Sequence, residues 1–150
     1  MPASILETLQ SYADMYLVDP ERAAREYYTD DVVMRTSGEH QFAGDHCGRD
    51  AILSVLAAIR RWTDGTIRLS TVLSVAVGID DAHAVVDVHI AASRQGECLT
   101  WERVLVYGLR MVGDVRLITE MKTFDFEQAR VDAFFGGPAS KITRRSGSPR

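Results

Sequence analysis

The chain reads as a single α+β domain in which helices cover one face of a curved antiparallel sheet. Three observations lead there. Residues 5–63 hold apolar side chains at helical spacing in three stretches, and residues 66–124 change to strand-like sequence in four long stretches. The joints between them carry the Asp, Gly and Pro residues that turn a chain. A length of 150 residues supports one domain with a real core and hardly two.

In chain order, Ser4-Ile5-Leu6-Glu7 forms a capping box that starts a helix running to about residue 18. Its stripe is Ile5, Leu6, Leu9, Tyr12, Ala13, Tyr16 and Leu17. Asp19-Pro20 closes that helix and opens a second, with Asp19 as N-cap and Pro20 as first helical residue, ending near Thr29. Asp31 to Thr36 is a short strand. Residues 37–48 read as a loop with one brief strand near Gln41 to Ala43. Gly48 precedes a third helix to about Thr63, with Ile52, Val55, Leu56, Ile59 and Trp62 as its apolar face. Strands follow at 66–79, 83–93, 97–112 and 115–124, with a short closing helix at 127–135. The domain is read as 1–136, and 137–150 as a flexible basic tail.

The hairpin at 97–124 concentrates the interest. A two-residue loop at Gly113-Asp114 sets Val112 opposite Val115, Tyr107 opposite Glu120 and Leu105 opposite Lys122. Trp101, Arg103, Tyr107, Glu120, Lys122 and Phe124 then share one face, and an apolar face with a few ionisable groups is how small-molecule pockets are built. A loop one residue longer swaps the faces of the last strand. Glu120 is thus either a wall carboxyl beside Arg103 or Lys122, or a solvated neighbour of Lys122. If Gln95-Gly96 is the preceding turn, His89 faces Glu102 and Asp87 faces Val104, on the face opposite Trp101 and Tyr107. That set lies in solvent or at a dimer contact; a longer turn brings it inward as a His–acid pair.

Composition narrows the classes. A net charge of −4 argues against a general nucleic-acid binder. Cys47 and Cys98 are too few for a disulfide framework. No apolar run approaches the ~18 residues of a membrane span, and residues 1–5 lack the features of an export signal, so a cytoplasmic location is expected. His40, Asp45, His46, Cys47 and Asp50 match no zinc spacing, and no phosphate loop, dinucleotide fingerprint or nucleophile elbow occurs. No metal and no cofactor are expected.

Three segments, YYTDDVVMRT, GEHQFAGDHCGRDAI and DVRLITEMKTFD, resemble the nuclear-transport-factor-2-like (NTF2-like) superfamily, within it the SnoaL-like and ketosteroid-isomerase-like proteins. The resemblance spans about residues 5–135. It implies a cone-shaped α+β fold, curved antiparallel sheet against three N-terminal helices with a short C-terminal helix, and a homodimer formed through the sheet. It also implies a cavity used by isomerases, polyketide cyclases, epoxide hydrolases, dehydratases or non-catalytic binding domains. Carried over by position, the first-helix tyrosine that donates to an oxyanion is Tyr12 or Tyr16, and the general base falls at Glu39 with His40 beside it. The second donor falls at Tyr107 in place of an aspartate, and the later-strand acid of SnoaL-like cyclases falls at Glu120.

The resulting expectation is a cofactor-free acid–base enzyme (isomerase, cyclase or epoxide hydrolase) acting on a hydrophobic, oxygenated small molecule. Glu39, His40, Tyr107 and Glu120 are its candidate catalytic residues; Tyr12, Tyr16, Trp101 and Arg103 line the substrate. The alternative is a ligand-binding or association domain of the same fold.

Overall fold

The computed structural model describes residues 1–136; the expected tail, 137–150, lies outside the described residues. Two helices open the chain, α1 (Ile5–Val18) and α2 (Pro20–Tyr27). Ser4 Oγ accepts from the Glu7 amide at 3.1 Å and the Glu7 carboxylate accepts from the Ser4 amide at 2.8 Å, so the capping box is complete. Asp19 serves both helices. Its amide donates to Met15 at the end of α1, while its carboxylate accepts from the Arg22 amide at 3.1 Å to start α2. The second helix stops at Tyr27, two residues before the expected end, because Tyr28 enters extended backbone and begins β1 (Tyr28–Thr36). The brief strand of the following loop, β2 (Gly44–Cys47), lies just beyond the expected position, where it pairs with β1. Gly48, at φ 89°, then turns the chain into α3 (Arg49–Trp62).

The four long strands are β3 (Arg68–Val77), β4 (His83–Arg94), β5 (Glu97–Val112) and β6 (Val115–Asp125), followed by α4 (Gln128–Phe134). They complete a six-stranded sheet in the order β2-β1-β6-β5-β4-β3. Its pairings are antiparallel except for β1 with β6, which is parallel. The architecture is therefore α+β, with helices packed against an open, curved, mixed sheet. Among the described residues, no helix is long and apolar enough to cross a membrane.

Two-residue turns set both hairpins as expected: Arg94 pairs with Glu97, and Val112 with Val115. The last hairpin then departs from simple counting. Leu109 pairs with Ile118 but Gly108 pairs with Glu120, so Thr119 and Glu120 together oppose a single residue. This β-bulge shifts the rest of β6 by one position. Tyr107 consequently faces Met121, not Glu120, and Leu105 faces Thr123, not Lys122.

The core lies between the sheet and the helices, with Ile5, Tyr28, Val32, Ile52, Val88 and Ile118 sealed from solvent. Phe134 and Phe135 close one end of it. By contrast, every residue of β3 is exposed. Two bulges break the alternation expected along that strand, so Leu69, Val72, Val75 and Val77 lie alongside the inward-facing residues of β4.

Because Asp19 caps two helices, Asp19→Ala is expected to lower stability by about 1 kcal/mol. Urea denaturation should show a lower midpoint with an unchanged slope.

Candidate functional site

The pairing register identifies one wall of the site. Val86, Val88 and Ile90 of β4 stand opposite Leu105, Arg103 and Trp101 of β5, and Tyr107, Leu105 and Arg103 stand opposite Met121, Thr123 and Asp125 of β6. Side chains on directly paired residues share a face, so these line the concave side. The helices face it with Tyr12 and Tyr16 from α1 and with Leu53 and Leu56 from α3. Tyr16, Leu53, Leu56, Val86, Leu105 and Tyr107 are only partly buried against the core, which marks the open stretch of the wall.

At one end of this wall sits an acid that the sequence reading did not single out. Asp125, its side chain 0 % exposed, accepts from Arg103 Nε at 2.6 Å and from the Trp101 indole N–H at 2.8 Å through Oδ1. Its Oδ2 accepts from a terminal Arg103 nitrogen at 3.1 Å. The fork geometry is the bidentate match of guanidinium to carboxylate, and it offsets the cost of taking both charges out of water. A two-residue turn without a bulge would set Glu120 on the same face as Arg103; the bulge gives Arg103 Asp125 instead. The signal in the sequence was an acid closing the last strand, but its pairing with Arg103 needed the bulge.

At the other end is a cluster of phenols. The Tyr12 and Tyr28 hydroxyls meet at 2.6 Å, and the Tyr12 ring stands 5.9 Å from that of Tyr16 and 6.4 Å from that of Tyr107. Burial pushes Tyr12 and Tyr28 upward, and it is the main cause that raises Tyr107 to about 12, helped by Tyr16 and opposed by the Arg103 guanidinium. Midway along the wall, Thr123 is buried, and its Oγ1 has no hydrogen-bond partner among the described residues. A buried hydroxyl without a partner costs about 1–3 kcal/mol, so this is a wall position where a ligand oxygen would relieve strain.

The remaining expected residues lie elsewhere. Glu120 is on the outer face, where its carboxylate binds Arg35 Nε at 2.9 Å and Lys122 Nζ at 3.4 Å. The Arg35 hydrogen bond is the main reason its pKa is lowered. Phe124 is half exposed on that same side. Glu39 is exposed in the β1–β2 loop, which α4 clamps: Ser37 donates to Gln128 at 2.6 Å and the Glu39 amide to Asp132 at 3.2 Å. His40 is buried, with Nδ1 accepting from the Phe42 amide at 3.1 Å and its ring 5.3 Å from Phe135. That bond requires the neutral ring with its proton on Nε2.

Asp87 and His89 are on the outer face, with His89 opposite Glu102 and Asp87 opposite Val104, as the two-residue turn implied. A hydrogen bond with Asp87 is the first cause raising Glu102. A cavity of about 260 Å³ lies beside this set, lined by His89, Thr100, Trp101, Glu102, Phe126 and Glu127. Trp101, at the Asp125 end of the inner wall, also borders this cavity. Among the described residues, no group of three or more His, Cys, Asp or Glu side chains could hold a metal ion.

No family model and no curated protein matches the chain. Solved structures do. A protein of unknown function with a cystatin-like fold from Xanthomonas campestris superposes with a TM-score of 0.76 at 22% identity, over 89% of this chain and 99% of that one. A SnoaL-like polyketide cyclase, so described, from Jannaschia sp. CCS1 gives 0.67 at 15% identity, over 89% and 92%. TerC, co-crystallised with polyporic acid, gives 0.67 at 20% identity, over 86% and 96%. NTF2-like proteins are among the other matches. The likeness is one of fold.

Two outcomes follow from the buried groups. Asp125→Ala should cost about 3–5 kcal/mol by leaving the Arg103 charge uncompensated, whereas Arg103→Met combined with Asp125→Leu should recover most of that loss in a denaturation series. Tyr107 is raised in the folded state from 10 to about 12. Its stabilising contribution is therefore complete below about pH 10 and is lost as pH rises toward 12. Urea midpoints taken across that window should fall less steeply for Tyr107→Phe than for the parent.

Proposed function

We propose that this NTF2-like fold holds a hydrophobic, oxygenated small molecule between its inner sheet wall and the helices α1 and α3. There it acts as a SnoaL-like enzyme by stabilising negative charge on a ligand oxygen. The observation behind this reading is the chemistry of the open wall: its polar groups, Tyr107 and Arg103, are donors set among Leu105, Val86 and Leu56. Arg103 commits two of its five N–H donors to Asp125 and keeps the others. Tyr107, raised to about 12, stays protonated at any physiological pH. Preorganised donors aimed at a developing oxyanion are a strong catalytic device in a water-poor site.

That donor set favours cyclisation over the other reactions of this fold. Epoxide opening needs a base to activate water, and a carbon-to-carbon proton shift needs a base to carry the proton. In an aldol-type ring closure, the enol carbon of the ligand bonds to a carbonyl carbon, whose oxygen becomes an alkoxide. Tyr107 gives that alkoxide its proton and regains one from the former enol oxygen, so the step balances without another reactant. Arg103 shares the charge, Tyr16 and Trp101 border the ligand, and Asp125 acts as a positioning residue through Arg103. Glu39, Glu120 and the buried His40 carry no step in this scheme. The description of one matched structure as a SnoaL-like polyketide cyclase and the co-crystallisation of another, TerC, with polyporic acid support a small-molecule cavity.

One observation favours the binding-domain reading instead. Among the described residues of the wall, the carboxylate present is Asp125, and three donor bonds already engage it. Either reading accommodates a homodimer through the outer sheet face, where Val85, Phe124 and Phe126 are exposed.

Incubation with a panel of aromatic poly-β-ketones, followed by liquid chromatography and mass spectrometry, separates the two. Ring-closed product of unchanged or dehydrated mass is expected, with kcat lowered about 10²–10³-fold in Tyr107→Phe and unchanged in Glu120→Gln. Ligand bound but recovered unaltered would leave the binding-domain reading.

A further inference from the structure

We infer that the cavity on the outer face of β4 and β5, beside the turn from β6 into α4, is a second binding site whose ligand is a small planar organic cation, an amidinium or guanidinium. Two parts of the fold enclose it. His89 of β4 and Glu102 of β5 are directly paired, so their side chains share the outer face, and both are partly buried there. Asp87, two residues before His89, lies on that same face, diagonal to Glu102. The other side is Phe126 and Glu127, where the chain leaves β6. The Phe126 amide donates to the Glu102 carbonyl at 3.0 Å, which fixes this turn against β5. Glu127 takes φ 55° and ψ 48°, a left-handed conformation uncommon for a residue other than Gly, Asn or Asp, and so reaches the cavity edge. The volume of about 260 Å³ lies just below the roughly 300 Å³ at which sites for drug-sized ligands begin, so a ligand of single-ring size fits.

The lining offers acceptors and no side-chain cation. Glu102 and Glu127 supply carboxylates, Thr100 a hydroxyl, and the neutral His89 ring one acceptor nitrogen. The Trp101 indole N–H is already given to Asp125 at 2.8 Å. Arg130 bonds Glu127, whereas neither Asp87 nor Glu102 joins an ion pair among the described residues. Asp87 Oδ1 is enclosed there and has no hydrogen-bond partner among them. Two carboxyls on one face repel each other, in keeping with the upward shift of Glu102, whose causes are the hydrogen bond with Asp87, then burial, then the Asp87 charge. A cation beside this pair relieves the repulsion; an anion would add to it, and a neutral ligand would leave it in place. An amidinium also presents parallel N–H donors that match a carboxylate, and its flat face suits the exposed Phe126 ring. Nothing in this site draws on the phenols or donors of the inner wall.

Benzamidine and its neutral isostere benzamide test this, titrated to millimolar concentration and followed through the indole N–H resonances in a proton–nitrogen correlation spectrum. The chain has 2 tryptophans. Trp101 borders the cavity, whereas Trp62, on α3, gives its N–H to the Phe134 carbonyl at 3.1 Å. Benzamidine is expected to move the Trp101 resonance saturably and leave that of Trp62 in place, with benzamide at least about tenfold weaker. Glu102→Gln removes the charge but keeps a donor for Asp87, so its urea midpoint should not fall. It is expected to weaken benzamidine about tenfold and leave benzamide unchanged. Equal binding of the two probes, an unchanged benzamidine affinity in Glu102→Gln, or no movement at Trp101 overturns the inference, and each leaves the reading of the inner wall untouched.

Discussion

Thr119 and Glu120 together oppose the single residue Gly108, and this bulge decides which side chains in the second half of the last strand face the helices. Up to Ile118, β6 follows the register set by its turn; beyond it every side chain is on the other face from the one that turn alone would give. Met121, Thr123 and Asp125 therefore point inward, and Glu120, Lys122 and Phe124 outward. The Gly108 position suits the crowding there, since a Cβ would stand 3.3 Å from Thr119 Oγ1. Without this step the buried Arg103–Asp125 pair could not form, and a carboxylate and an ammonium would face the apolar interior instead.

The same step separates two electrostatic environments that one strand serves at once. Outside, Glu120 joins Arg35 and Lys122 in a solvent-screened cluster whose contribution to stability is small. Inside, Asp125 sits fully enclosed with three donor bonds, where each partner depends on the other. The inner cluster also anchors Trp101 and the stem of Arg103. That leaves the open part of the wall to Leu105 and Tyr107 and holds the guanidinium against Asp125 and Trp101.

The helices complete the site through their caps. Asp19 joins α1 to α2 so closely that Tyr12, on the first, meets Tyr28, just after the second, hydroxyl to hydroxyl. Gly48 starts α3 where its amide can bond Val32 at 2.7 Å, which fixes the α3 stripe against β1. At the far end, α4 holds the β1–β2 loop through Gln128 and Asp132. Glu39 and His40 are consequently parts of a clamped closure beside Phe135, at the opposite end from the phenol cluster.

Much of this was legible in the residues themselves. The Ser4–Glu7 capping box, the Asp19-Pro20 joint and the α3 stripe all depend on neighbours a few positions apart, so the sequence alone determined them, whereas the lengths of the two turns, and with them the outward placement of Asp87 and His89, were decided by the strand pairing. The sequence also determined that Trp101, Arg103 and Tyr107 share one face, because they are an even number of residues apart along a single strand. What only the tertiary structure decided was the partner of each: Asp125 for Arg103, Met121 for Tyr107, Arg35 for Glu120. A β-bulge is selected by the packing of a curved sheet against its helices. Thr119 carries no local mark of it, and a shift of one residue is enough to turn a presumed catalytic acid to the outside and bring an unremarked one in.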